Sequence, residues 1–200
     1  MLRINGGCQQ VVVFQLFLRF SNLPFVLQQT FHYDSDFWKN KNEFNLPGGE
    51  TGLDSQETKL PTYWETTFSK ICLGMDRPGQ QTRFIVIEKQ ADSLYSLIAD
   101  GQHRATSLSR EKSKSLIGPE ASLQPHCNKQ GFNVAGTCPG MATARIGIIA
   151  NQENNCQPVT PELGLVQEGN LMTPTHVGTR RPTHQIMETN TSEMGFILVP

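Results

Sequence analysis

The side chains with the widest chemical reach in this 200-residue chain are five histidines (His32, His103, His126, His176, His184) and five cysteines (Cys8, Cys72, Cys127, Cys138, Cys156). A catalytic histidine needs a nucleophile or an acid placed beside it, and the patterns that supply one are missing. GxSxG, HExxH, GxGxxG and a phosphate loop do not occur. The glycine-rich "GGETG" is not followed by a strand-to-helix junction carrying Lys-Ser or Lys-Thr, so it reads as a flexible loop. The chemistry expected from these residues is binding rather than catalysis.

Oxygen donors are the next candidates. Asp34 and Asp36 in "FHYDSDFW" are carboxylates two residues apart, and Asp54 and Glu57 in "DSQETK" are three apart. On a loop such pairs serve a hard cation such as Ca²⁺, which takes six to eight oxygens. Two carboxylates fall short of that number, so a solvated strand edge is the simpler reading of each. "NQENNC" is richer: Asn151, Gln152, Glu153, Asn154 and Asn155 offer neutral oxygens and one charge, a set suited to Ca²⁺ or to sugar hydroxyls. The competing reading is a tight turn whose amide side chains bond their own backbone. Asn190-Thr191-Ser192 is a glycosylation sequon, which matters only in an exported chain.

The cysteines form no CxxC pair and no zinc-finger spacing, which argues against a structural zinc. Their number is odd. In an exported protein the leftover thiol pairs between chains, giving a homo-oligomer, or its partner is missing; in a cytosolic protein all five would be buried thiols. Charged residues make up 18%, below the usual quarter, with a net charge of −1, and this low charge favours export. No basic stripe is present, so nucleic acid is not an expected partner. The N-terminal "MLRINGGCQQVVVFQLFLRF" has a short apolar run, Val11 to Leu18, broken by Gln15. It reads equally as a marginal signal-peptide core or as a β-strand, and it is too short and polar to span a bilayer.

The elements that must position these residues follow from periodicity and turn chemistry. Aromatic alternation at Phe31 and Tyr33 predicts a strand, with a turn at Asn40–Asn42. Residues 47–61 predict a long loop, and 63–75 a loop entering a buried strand at Ile71–Met75. Pro-Gly ahead of Phe84–Ile87 predicts a hairpin. Apolar residues at 91, 94, 95 and 98, followed by Gly101, predict a short helix. A second helix is expected over Ser109–Leu116, and strands at "GFNVAG" and "ARIGIIA". Residues 157–192, punctuated by four prolines, predict irregular structure, with "MGFILVP" returning to the sheet. The fold class is α+β, strand-dominated and loop-rich. The expected organisation is an unassigned head (1–30), a main portion (31–156), a divergent segment (157–192) and a closing strand (193–200).

"FHYDSDFWKNKNEFNLPGGETGLDSQETKLPTYWETTFSKICLGM", "SLYSLIADGQHRATSL", "SLIGPEASLQPHCNKQGFNVAG", "ARIGIIANQENNC" and "MGFILVP" occur in that order. This series resembles secreted fibrinogen-related proteins of corals and anemones, some known from skeletal organic matrix. More distantly, the run into "NQENNC" and the closing strand are similar to the end of intelectin-type lectin domains. The resemblance covers about 31–156 and the last seven residues. It implies an extracellular α+β domain that binds carbohydrate or matrix polymer, without a membrane span, with disulfides and with Ca²⁺ assisting. It implies a Cys72–Cys127 bridge; Cys156 lacks the neighbouring cysteine of the relatives, and Cys138 is the substitute partner the sequence offers without positioning it. The Cys72–Cys127 bridge would close a loop of over fifty residues, worth about 4 kcal/mol in the chain-entropy description. It also implies ligand contacts from Asn151, Glu153, Asn154 and Asn155. The relatives carry a second cysteine, an Asp and a Gly-rich loop after "NQENNC"; here "CQPVTPELGLVQEGN" follows instead. The ligand set is therefore expected to be altered, as in a truncated or mis-assembled reading of a longer sequence, and a matrix protein with a vestigial site is the alternative.

Overall fold

A computed structural model describes residues 30–50, 56–76, 79–117, 125–136 and 143–151, together with strands at 3–4, 8–9, 11–19, 160–168 and 192–199. The elements are β1 (Arg3–Ile4), β2 (Cys8–Gln9), β3 (Val11–Arg19), α1 (Leu46–Glu50), β4 (Thr58–Lys59), α2 (Thr62–Glu65), β5 (Phe68–Asp76), β6 (Arg83–Ala91), α3 (Leu94–Ile98), α4 (Arg110–Ile117), β7 (His126–Ala135), β8 (Thr143–Asn151), β9 (Thr160–Glu168) and β10 (Ser192–Val199). The chain is strand-rich with short helices, in agreement with the α+β class.

Two antiparallel sheets carry the core. One has the order β4-β3-β10-β5-β6, the other β7-β8-β9, and β1 and β2 form a separate ribbon. The apolar run 11–19 forms a strand, and residues 192–199 return to the sheet as its middle member. There β10 pairs with β3 (Val199↔Val11, Phe196↔Gln15) and with β5 (Leu198↔Cys72, Ile197↔Leu73).

Strict alternation makes both faces of the larger sheet apolar. Ile71, Leu73 and Met75 of β5, Ile85 and Ile87 of β6, and Ile197 and Val199 of β10 enter the main core. Cys72, Met194, Phe196 and Leu198 form a second cluster, joined by the half-buried Phe84 and Val86. Gly74 lies between Phe84 and Phe196 in register, and a Cβ there would collide with the Phe84 ring. The main core is completed by Leu94, Leu97 and Ile98 of α3, Leu116 of α4, and Phe132, Ile146 and Ile148 of the smaller sheet.

Local signals explain most elements. The β5–β6 hairpin turns through Gly79 at φ 76°, and Thr82 Oγ1 donates to Asp76 Oδ1 at 2.8 Å. Helix α3 starts on a reciprocal cap in which Ser93 accepts from the Ser96 amide and Ser96 Oγ accepts from the Ser93 amide. It ends toward Gly101 at φ 72°.

Three expectations are corrected. The strand expected at 31–33 is a turn leading into a 3₁₀ helix, Asp36–Trp38. Ser35 and Trp38 bond the backbone of the same segment, which winds it up although its aromatics alternate as a strand's would. The loop expected over 47–61 contains most of α1 and all of β4, and α2 follows it. Residues 160–168, expected to be irregular, form β9 on β8, with Pro161 at a register shift opposite Ile149. A proline is tolerated there because the sheet edge does not need its missing N–H.

Candidate functional site

The densest polar and aromatic arrangement lies where the 31–44 loop meets β4. Ser35 shapes the loop: its Oγ donates to the Thr30 carbonyl at 2.8 Å and accepts from the Phe37 amide at 3.4 Å. Trp38 Nε1 donates to the His32 carbonyl at 2.9 Å. Phe31, Phe37 and Phe44 meet one another at centroid distances of 5.4–5.5 Å, in tilted or edge-on geometry. Trp38 meets Tyr63 edge-on, and Tyr63 meets Tyr95. The quadrupoles of aromatic rings favour these crossings over flat stacking.

At the centre stands Lys59, with 0% of its surface exposed. Its backbone exchanges two hydrogen bonds with Phe44, which fixes the loop against β4. Its ammonium donates to the Phe37 carbonyl (2.6 Å), the Asn40 carbonyl (2.9 Å) and Asn40 Oδ1 (3.0 Å). Tyr63, Trp64 and Phe37 surround it with ring centroids at 4.8, 5.5 and 5.6 Å. The charge is thus held by neutral oxygens and ring faces. Burial draws the ammonium down from its ordinary 10.5 to about 8.

A second buried cation lies on β8. Arg145, 2% exposed, donates from Nε to the Tyr33 carbonyl (2.8 Å) and from Nη1 to Asn133 Oδ1 (2.7 Å), and its guanidinium lies 4.2 Å from the Tyr33 ring centroid. Asn133 adopts a left-handed backbone at φ 48° and donates to the Ile98 and Gln102 carbonyls. One network therefore joins the 31–35 loop, both sheet strands and the end of α3. Tyr63 is tied to the Trp38 carbonyl at 2.9 Å. Burial pushes its phenol far above the ordinary tyrosine range, against a smaller opposite pull from the Arg145 charge.

Below this network, Arg104 exchanges backbone hydrogen bonds with Phe132, bringing Gly131 against the Arg104 carbonyl at φ 137°. Arg104 also pairs with Asp100 at 2.6 Å, and that hydrogen bond lowers the Asp100 carboxyl to about 2.

The residues singled out in the sequence are dispersed. Asp34 and Asp36 are both exposed, and Glu57 accepts from the Thr30 amide at 3.2 Å. Among the described residues no three His, Cys, Asp or Glu side chains come together as a metal site. Asn151 ends β8, paired with His126. Asp54, Gln152, Glu153, Asn154, Asn155, Cys138, Cys156, His176, His184 and Asn190 lie outside the described residues. His103 is exposed, its Nε2 3.1 Å from the Gln130 carbonyl. Among the described residues no helix is long and apolar enough to cross a membrane.

Cys72 and Cys127 are both disulfide-bonded. Cys72 is 2% exposed in the middle of β5. Cys127 is half-buried near the start of β7, at φ 53°, where the β7–β8 register shifts between His126 and Lys129. A bulge of this kind turns a side chain out of the ladder.

Sequence reading missed Lys59, Arg145 and Asn133. Arg145 had a signal, a lone charge inside the apolar alternation "ARIGIIA". Lys59 had none, because its burial comes from aromatics 15–22 residues earlier and at 63 and 64. What the arrangement offers is an aromatic rim. Tyr33, Phe37, Phe44, Trp64 and Tyr95 are each half-buried, beside the exposed polar residues Lys39, Lys41, Asn42 and Asn45. No family model matches the chain, and no curated protein or solved structure matches it either.

Proposed function

We propose that this chain is an extracellular, non-enzymatic binding module of the fibrinogen-related, lectin-like kind, recognising carbohydrate or a matrix polymer with Ca²⁺ assisting. The carrying observation is the oxidised state of Cys72 and Cys127, which suits an exported protein, since cytosolic thiols are kept reduced. The motif series from Phe31 to Cys156 supports the family part of the reading. The aromatic rim supports the binding part: half-buried rings keep apolar surface at the solvent boundary, of the kind a sugar face packs on, and the exposed amides and ammonium groups of the same segment suit hydroxyl partners.

A glycan array probed with the full chain, with and without Ca²⁺, tests this. Saturable binding to a defined glycan class is expected, weakened by chelation. Silence in both conditions, together with incorporation into matrix or mineral, would replace it with the structural reading in which the ligand site is vestigial. That second reading rests on the altered segment after Cys156.

A further inference from the structure

We infer that Cys72 and Cys127 belong to two different disulfides, one anchored on each sheet, in place of the single Cys72–Cys127 link that the family resemblance implies. Both sulfurs are disulfide-bonded. A disulfide holds its Cα atoms about 4.4–6.8 Å apart, so its two halves share one neighbourhood. These two residues do not. Cys72, with Leu198 and Val86 as its register partners, lies in the cluster of Met194, Phe196 and Leu198, closed by Leu60, Phe84 and Val86. It faces away from Ile71 and Leu73, which enter the main core. Cys127 packs instead on Val134 and Ile149 of the smaller sheet. The two clusters have no residue in common, and Cys127 is not among the side chains packed against the first.

Each sulfur then takes its partner from Cys8, Cys138 and Cys156, and with five cysteines in the chain one is left over. Each bridge forms when two thiols give up two protons and two electrons to a protein disulfide, which leaves as its dithiol. This is the exchange chemistry available during export. The inference does not depend on what the module binds.

The test is peptide mapping of the full chain, secreted from a eukaryotic host, alkylated in acid to trap thiols and digested without reductant. Cys72 and Cys127 are expected in two separate linked peptide pairs. The fifth sulfur is expected alkylated in a monomer, or joined to its counterpart in a covalent dimer. A Cys72–Cys127 linked peptide would overturn the inference while leaving an exported protein. Alkylation of both Cys72 and Cys127 would overturn it together with the extracellular reading. In Cys127→Ser the Cys72-linked peptide is expected unchanged, with one additional thiol per chain; loss of the Cys72 link in that variant would also overturn it.

Discussion

Replacing Lys59 by methionine separates two opposing contributions of a buried ammonium. The side chain is fully buried, and its charge is drawn from 10.5 down to about 8 by loss of hydration. At about 1.4 kcal/mol per pH unit, that corresponds to a cost of roughly 3 kcal/mol for holding the group charged at pH 7. The Phe37 and Asn40 side of the site is half-buried, so water screening brings the figure nearer to about 2 kcal/mol. Methionine removes this cost and fills the ring cage with a flexible apolar chain. It also strands the Phe37 carbonyl, the Asn40 carbonyl and Asn40 Oδ1, at about 1 kcal/mol each, toward the low end for half-buried acceptors. The two contributions nearly cancel. Lys59→Met is therefore expected to lie within about 1 kcal/mol of the parent at pH 7.

Titration breaks the tie. Between pH 8 and 10.5 the unfolded chain still binds the Lys59 proton that the folded chain has released, so unfolding becomes harder as pH rises. Methionine has no such dependence. The parent should thus gain about 2 kcal/mol over Lys59→Met across that window, leaving the variant about 2–3 kcal/mol less stable at pH 10.5. Urea unfolding followed by Trp38 and Trp64 fluorescence, with free thiols alkylated and disulfides kept intact, measures the gap at each pH. A gap already large at pH 7 that closes as pH rises would refute the reasoning. It would mean that carbonyls and rings hold the ammonium better than water does.

Three further outcomes follow from the same contacts. Gly131→Ala places a Cβ against the Arg104 carbonyl at a φ of 137°, which side chains rarely adopt, and should cost about 2–4 kcal/mol by urea unfolding. Tyr63→Phe removes the hydrogen bond to the Trp38 carbonyl but keeps the ring over Lys59, so a loss of about 1–2 kcal/mol is expected, without a change in the near-ultraviolet dichroism band shape. Asp100→Asn should change stability by less than about 0.5 kcal/mol at pH 7, because the pair with Arg104 is solvent-exposed. The Asp100 carboxyl is lowered by that pair, so the small contribution is present above its unfolded value near 3.8 and lost as pH falls toward about 2, which acid titration of parent and variant would show.

Regular elements were legible wherever a local rule acted alone. The β5–β6 hairpin, α3 with its apolar spacing and Gly101, α4, and the paired strands β7 and β8 follow from turn residues and periodicity. Reading failed where burial is set by distant partners. The Phe31–Trp38 segment alternates like a strand even in its burial, with His32, Asp34 and Asp36 exposed; it is wound into a turn by bonds that periodicity does not show, Ser35 Oγ to the Thr30 carbonyl and from the Phe37 amide, and Trp38 Nε1 to the His32 carbonyl. β9 carries Pro161, and a proline normally argues against a strand; its place on a sheet edge removes the objection. The central feature of the candidate site was least legible of all. A lysine in "ETKLP" reads as solvated, and only the meeting of the 37–40 carbonyls with β4 makes it the buried centre of an aromatic cage.

The sheet order explains why covalent closure suits this chain. β10 sits between β3 and β5, so residues 192–199 must be threaded beside residues 11–19 and 68–76 before either neighbour has a complete ladder. Pairings of such long sequence separation form late, because loop-closure entropy must be overcome before the contacts reward it. Until then Cys72, Phe84 and Val86 present an apolar strand face with an open edge, which is a template for pairing with other chains. Under the two-bridge inference, a link at Cys72 reduces the freedom of the unfolded chain around the strands that pair last, whereas Cys127 belongs to the β7-β8-β9 meander, whose strands are neighbours in sequence and close over shorter loops. Breaking the first should therefore slow refolding more than breaking the second. That asymmetry is the kinetic signature the two-bridge inference predicts.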